Sequence, residues 1–301
     1  MNQVKREMPV TVLDKLKVCA NTRRWAALSF CAAYKRVTAI KSSISEVELR
    51  DGWLNEIRKN KNLFSNGWYI PPPYGVSILF GGAKDLKRIS YPNLRLKQYW
   101  PNKNIFFDRQ GFIIIYASPV DRSTGIIGDF AMTIYLGINK NIQKHLKNCY
   151  ETTRAIFESA KLGMRLCQLN TLTHKILESK SLINNIISSS DLTGTNTGHT
   201  IPFSYESRTI QEQAVFKKND CKEIALLISK KRKFVNAVDQ TKIQKNMAFT
   251  IEPRLYSANF SQLPAVLFHT IALFHENGKK ELLTDFEDIF KLTGMDYMLE
   301  S

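Results

Sequence analysis

Twice along this chain, two helix-forming stretches are followed by strand-forming stretches, and this duplicated order narrows the possible folds more than any other feature. A first helix is expected over residues 12–41, where Leu13, Leu16, Ala20, Ala27 and Cys31 recur at three- and four-residue steps. A second is expected over 45–59, with Ser43 as N-cap and Glu46 completing a capping box. Strands are expected over 76–80, 112–117 and 130–136. The cycle then repeats with an amphipathic helix over 141–160, whose apolar face runs through Ile142, Leu146, Cys149, Ile156 and Phe157. His145 lies on that face and reads as a packed residue. A helix over 167–178 follows, then strands near 201–205, 248–255 and 265–274. This order predicts an α+β fold with pseudo-two-fold halves, each antiparallel sheet covered on one face by its helices. No short sequence repeat is visible, which excludes a solenoid.

Composition removes other classes. The chain has 301 residues, 44% of them hydrophobic and 23% charged, which is globular composition. No apolar run approaches the roughly 18 residues needed to span a bilayer, and the first ten residues lack the apolar centre of a signal peptide. Five cysteines form no paired motif, which leads us to expect a reducing, cytoplasmic setting and no disulfide scaffold. The formal charge of +16 invites a nucleic-acid reading. Most of it is dispersed, however, and the one dense run, Lys230, Lys231, Arg232 and Lys233, reads as a solvated loop or helix end. No zinc-finger, helix-turn-helix or RNP-like signature accompanies it, so nucleic acid is not the expected partner.

Four polar residues stand inside apolar, strand-like runs: Asp129, His199, Glu252 and His269. Burying such groups unpaired is costly. Convergence on one metal ion would satisfy all four, although single buried polar residues are often structural.

The segments around these residues resemble the pita-bread metalloenzymes: methionine aminopeptidase, aminopeptidase P, prolidase and creatinase. Ser43-Ile-Ser45-Glu-Val-Glu-Leu49 resembles the start of the family's second helix, and Asp129-Phe-Ala-Met-Thr-Ile-Tyr-Leu-Gly137 its aspartate strand. Gly198-His199-Thr-Ile is similar to Gly-His-Gly-Ile, and Asn246-Met-Ala-Phe-Thr-Ile-Glu252-Pro253 to Gly-Met-Val-Phe-Thr-Ile-Glu-Pro. The strand ending at His275-Glu276-Asn277-Gly278 resembles the one that carries the last ligand. The resemblance implies a pita-bread fold filling residues 1–301 as one catalytic-type domain, with no separate N-terminal domain.

The departures are chemical. The family holds two metals through Asp, Asp, His, Glu and Glu. The second Asp maps to Asp129, the His to His199 and the first Glu to Glu252, while the first Asp lands on Ser118 and the last Glu on His269. The resemblance therefore implies a single-metal site of Asp129, His199, Glu252 and His269, suited to Fe(II), Mn, Co or Zn, with Fe(II) favoured by the second histidine. The family's substrate-side histidine maps near Ile89-Ser90 and is absent, and its second histidine maps to Glu206, next to Tyr205; these two residues and Glu252 are the candidates for proton transfer. Arg254 stands where the family has Gly and is, with Ser118, the candidate for substrate binding.

Together these features imply a divergent aminopeptidase- or prolidase-like metalloenzyme. It would act on a small amino-acid-derived or peptide-like substrate by a redirected, non-peptidase reaction, for which the ligand change favours iron-dependent oxidation. The alternatives are a metal-dependent amide hydrolase and a catalytically inactive binding module, a role pita-bread domains fill in histone chaperones. A homodimer is compatible with the family, and no membrane role is expected.

Overall fold

The nine residues Val266–Phe274 form a strand buried along its whole length, and such a strand needs partners on both edges and cover on both faces. The computed structural model, which describes residues 12–40, 43–82, 86, 88–185 and 191–299, supplies them. The first half comprises α1 (Val12–Ile40), α2 (Glu46–Ile57), β1 (Val76–Gly81), β2 (Phe112–Ala117) and β3 (Phe130–Tyr135). The second comprises α3 (Lys140–Ser159), α4 (Leu166–Ser179), β4 (Leu182–Asn184), α5 (Ile210–Lys218), α6 (Cys221–Lys231), β5 (Met247–Ile251), β6 (Arg254–Ser257), β7 (Val266–Phe274), β8 (Lys280–Leu283) and α7 (Glu287–Thr293). The strands form one eight-stranded sheet with the path β1-β2-β3-β7-β6-β4, to which β5 and β8 add along β7. All pairings are antiparallel. This is the α+β, pita-bread arrangement, and no described helix is long and apolar enough to cross a membrane.

The middle of β7 is the crossing point of the two halves. Ala131 of β3 pairs with His269, while Ile251 pairs with Thr270 and Arg254 with Leu267. The last two pairs share one register, so β5 and β6 are a single path along β7, broken at Glu252 and Pro253. Proline has no N–H to give to a ladder. The break frees Glu252 at the level of His269.

Burial of β3 and β7 leaves backbone ends to be satisfied, and Arg23 of α1 does this. Its guanidinium, with no exposure, donates from Nη1 to Asp129 O at 2.5 Å and from Nη2 to His269 O at 2.7 Å and Thr284 O at 2.6 Å. Asp285 Oδ2 lies 3.2 Å from Nε. Phe130 and Phe286 lie 4.8 and 5.3 Å from the guanidinium, each within cation–π range. Burial lowers the Arg23 pKa to about 10 and Asp285 opposes the shift, so the group is charged at neutral pH. The chain reaches Asp129 through Gly128, where a Cβ would stand 2.4 Å from Arg23 N. Only glycine permits α1 to touch the strand entry there.

Several local expectations are corrected. The cap of α2 is Ser45, whose Oγ accepts from Glu48 N while Glu48 Oε2 accepts from Ser45 N; Ser43 lies upstream in a bend. Glu46 is instead buried, accepting from Arg88 Nη2, Phe80 N and Asn102 N. The strand expected over 201–205 is displaced: residues 197–201 are the extended ones, running along β5, and Pro202 and left-handed Phe203 (φ 68°) then turn the chain away. His145 is buried as expected, its Nε2 bonded to Pro264 O at 3.0 Å. The first ten residues lie outside the described ones.

Replacing Arg23 with Leu orphans two buried carbonyls and a half-buried one beside Asp285, and should cost about 3 kcal/mol or more of unfolding free energy. Urea unfolding measures this, and a loss under about 1 kcal/mol would show that the clamp carries no such weight.

Candidate functional site

Asp129 stands one residue before β3, held by the Arg23 contact to its carbonyl. Its carboxylate is buried and accepts a hydrogen bond from Trp68 Nε1 at 2.6 Å through Oδ1. Burial pushes its pKa up to about 7; the Trp68 bond opposes the rise and the charge on Glu252 reinforces it.

His199 is fixed by the extended segment 197–201, which lies between β5 and residues 233–235. Thr250 N donates to His199 O, Val235 N to Gly198 O and Thr200 N to Lys233 O, each at 2.8 Å. Gly198 is required here, because a Cβ would stand 2.0 Å from Thr250 O. The His199 ring bonds through Nδ1 to Thr200 O at 3.0 Å. A carbonyl can only accept, so Nδ1 carries the proton and Nε2 presents a lone pair. That lone pair faces Asp129 Oδ2 and Glu252 Oε1, both at 3.6 Å. Burial, helped by the charge of Arg232, lowers the His199 pKa to about 4.

Glu252, at the break between β5 and β6, occupies the centre. Thr250 Oγ1 donates to Oε1 at 3.3 Å, while Oε2 lies 3.5 Å from His269 Nε2 and 3.4 Å from Arg254 Nη2. Burial alone would raise its pKa, but Arg254, the two imidazoles and Arg232 outweigh burial and hold it near 2. Burial lowers His269 to about 3, and its Nδ1 has no hydrogen-bond partner among the described residues. Arg254 is itself supported: Nη1 donates to Asn196 Oδ1 at 3.0 Å, and Asn196 donates through its backbone and side-chain nitrogens to Asp191.

The structure thus brings together Asp129, His199, Glu252, His269 and Arg254. It does not bring Ser118, Tyr205 or Glu206 to them. Ser118 Oγ accepts from Tyr69 N and donates to Gly75 O, bracing the loop that carries Trp68. Tyr205 donates to Thr200 Oγ1 at 3.4 Å, and Glu206 pairs with Lys231 at 3.4 Å, both off the cavity. Trp68, Tyr69, Arg95, Tyr116, Asn196 and Arg232 complete the lining. Arg232 corrects the reading of the basic run as solvated: it caps α6 and is buried. Nothing in four consecutive cations marks the one that turns inward. The free space enclosed is ≈ 20 Å³, room for one water-sized group.

Residues 23–277 match metallopeptidase family M24, and the chain belongs to that family. Among solved structures, it resembles the prolidase of Pyrococcus furiosus at 16% identity and a TM-score of 0.58, over 90% of this chain and 64% of that one. It also resembles an X-Pro aminopeptidase from Thermotoga maritima (13%, TM-score 0.56, 91% and 62% covered) and an Escherichia coli aminopeptidase P variant (11%, TM-score 0.58, 97% and 59% covered). Likeness at these identities is likeness of fold, and the chain spans about three fifths of the length of these proteins. No curated protein matches the sequence.

The family is one of divalent-metal enzymes, and the four expected ligands do meet. Among the described residues no group of three His, Cys, Asp or Glu side chains stands in a metal-holding arrangement. One oxygen of each carboxylate is already engaged. Trp68 engages one Asp129 oxygen, and the Arg254 guanidinium stands against one Glu252 oxygen. Three lining arginines face two carboxylates and two neutral imidazoles, which gives a positive site where a cation requires a negative one.

The raised Asp129 pKa has a stability consequence. Between its unfolded value of 3.8 and its folded value of about 7, the folded protein holds a proton the unfolded chain lacks. Stability from this group is therefore lost as pH rises through that window. The depressed histidines act with the opposite sign but equally in both proteins compared. Asp129→Asn should melt a few degrees above wild type at pH 8, roughly 2–4 °C per kcal/mol relieved, with the gap narrowing below pH 7 and closing only near pH 4. A gap that is constant across pH in thermal melts would refute the assignment.

Proposed function

We propose that this chain is a metallopeptidase-like pita-bread protein whose pocket works as an arginine-lined binding site for a small amino-acid-derived or peptide-like ligand, without a resident metal. The observation that carries this reading is the Arg254–Glu252 contact of 3.4 Å inside a cavity lined by three arginines and two carboxylates. A divalent cation in that space would meet two guanidinium groups, Arg254 and Arg232, at close range. The likeness to a prolidase and an X-Pro aminopeptidase supports peptide-like molecules as the ligand class. Neither Glu206 nor Tyr205 lines the cavity, so of the three proton-transfer candidates Glu252 alone stands there.

One observation favours a second reading, a mononuclear metal enzyme using Asp129, His199, Glu252 and His269. The His199 Nε2 lone pair faces Asp129 Oδ2 and Glu252 Oε1, each at 3.6 Å. Rotation of Arg254 away from Glu252 would turn these three groups into donors. The iron-dependent, oxidative form of that reading gains no support from the geometry.

Metal analysis after incubation with Fe(II), Mn, Co or Zn and dialysis separates the two. The first reading expects under about 0.2 metal per chain and no cleavage of Xaa-Pro dipeptides. About one metal per chain, lost in both His199→Ala and His269→Ala, would establish the second reading and overturn the first.

A further inference from the structure

A hollow far wider than the arginine-lined cavity lies elsewhere on the molecule and shares no lining residue with it. It is a groove of ≈ 800 Å³ between α3, the turn that joins α4 to β4, and the 257–263 segment that follows β6. Clefts that bind ligands fall between about 300 and 1,000 Å³. The three walls are tied to one another. His145 Nε2 of α3 donates to Pro264 O at 3.0 Å, Ala258 N donates to Ser181 O at 2.9 Å, and Asn148 Nδ2 of α3 donates to Lys180 O at 3.5 Å. These bonds form a triangle around the groove, so its shape is set by the fold and binding need not order it.

Three chemistries meet in the lining. Ile142, Leu182 and the partly buried Leu263 give an apolar floor, and Phe260, 53% exposed, stands among the lining residues. Lys144, Lys147 and Lys180 surround that floor against one acidic residue, Glu151. Lys144 and Lys180 form no ion pair within 4.0 Å among the described residues. The third chemistry is carboxamide: Asn141, Asn259 and Gln262 each bring a donor and an acceptor to the groove, and none of these side chains is hydrogen-bonded among the described residues.

Each chemistry excludes a class of occupant. An acyl chain would leave the carboxamides facing hydrocarbon, which is costly. Single-stranded nucleic acid stacks successive bases on aromatic rings, and the groove exposes one ring, that of Phe260. A basic segment would meet three lysines. An extended acidic peptide satisfies all three features. Its backbone pairs with carboxamides, which are the same chemical group; an apolar side chain covers the floor; its carboxylates meet the lysines.

We propose that this groove is a docking site for an acidic peptide segment of a partner protein, anchored by an apolar side chain on the Ile142–Leu182–Leu263 floor and oriented by Lys144, Lys147 and Lys180. The site is separate from the arginine-lined cavity and stands whether or not the reading of that cavity holds.

The test is fluorescence anisotropy at pH 7.5 with an array of labelled heptapeptides. Each has a central Leu or Phe flanked by Asp and Glu, and a matched set carries Lys and Arg instead. The best acidic peptides should bind with a Kd below about 100 µM, at least about 10-fold more tightly than their basic counterparts. Lys144→Glu combined with Lys180→Glu should weaken them at least about 10-fold, and Leu263→Ser at least about 3-fold. Reversing two exposed lysines of the α5–α6 pair, Lys217→Glu with Lys222→Glu, should change binding less than about 2-fold. The inference is overturned if no acidic peptide binds more tightly than about 1 mM, or if the two peptide sets bind equally. Unchanged binding in either groove variant, or an equal loss in the α5–α6 variant, overturns it as well. Oligo(dT) or octanoate binding more tightly than the acidic peptides, and losing that binding in the Lys144/Lys180 variant, would assign the groove to nucleic acid or to lipid instead. Thermal melts keep misfolded variants out of the comparison.

Discussion

A single buried guanidinium holds the two halves of this protein in register. Arg23 reaches from α1 to the carbonyls of Asp129, His269 and Thr284, which belong to the entry of β3, the middle of β7 and the end of β8. Two of those three residues carry side chains of the site. The interaction therefore does more than stabilise a helix against a sheet: it sets the relative height of Asp129 and His269, and with them the width of the cavity. Moving β3 by one residue would turn its side chains to the opposite face. The fork geometry of arginine, with separate nitrogens for separate carbonyls, does what one ammonium group could not.

Charge in the pocket follows from the backbone in the same way. Pro253 breaks the β5–β6 ladder, and the break lets Glu252 turn toward His199, His269 and Arg254 at once. Glu252 is held ionised by these neighbours, while Asp129, capped by Trp68 and deprived of water, is drawn toward neutrality. Two carboxylates a short distance apart thus have opposite tendencies. The split comes from where the guanidinium groups stand.

Much of the fold was readable in the sequence because it is written in long apolar periodicities. The amphipathic stripe of α3 and the apolar runs of β2 and β7 have no other plausible use. The site was readable through polar residues in those same runs, since a buried Asp129 or His269 contradicts its surroundings. What was not readable is equally physical. Ser43 and Ser45 offer nearly the same cap, and only the position of Glu48 selects Ser45. The hairpin α5–α6 has short helices, and α5 buries no residue, so it has little apolar pattern to detect. Arg232 was invisible because its direction is decided by the turn at the end of α6 and by aromatic residues far away in sequence.

That hairpin has an energetic meaning of its own. Its apolar attachment runs through Ile224 and Ile228 of α6, with Phe216 of α5 packing against Phe203. The sheet behind it is held by a continuous core and by the Arg23 fork. Local opening draws on the least strongly attached parts of a structure. The end of α6 is nevertheless tied down, because Ile228 is fully buried and residues 233–235 are hydrogen-bonded to the segment that carries His199. A change that loosens the hairpin there would act on the placement of His199 as well.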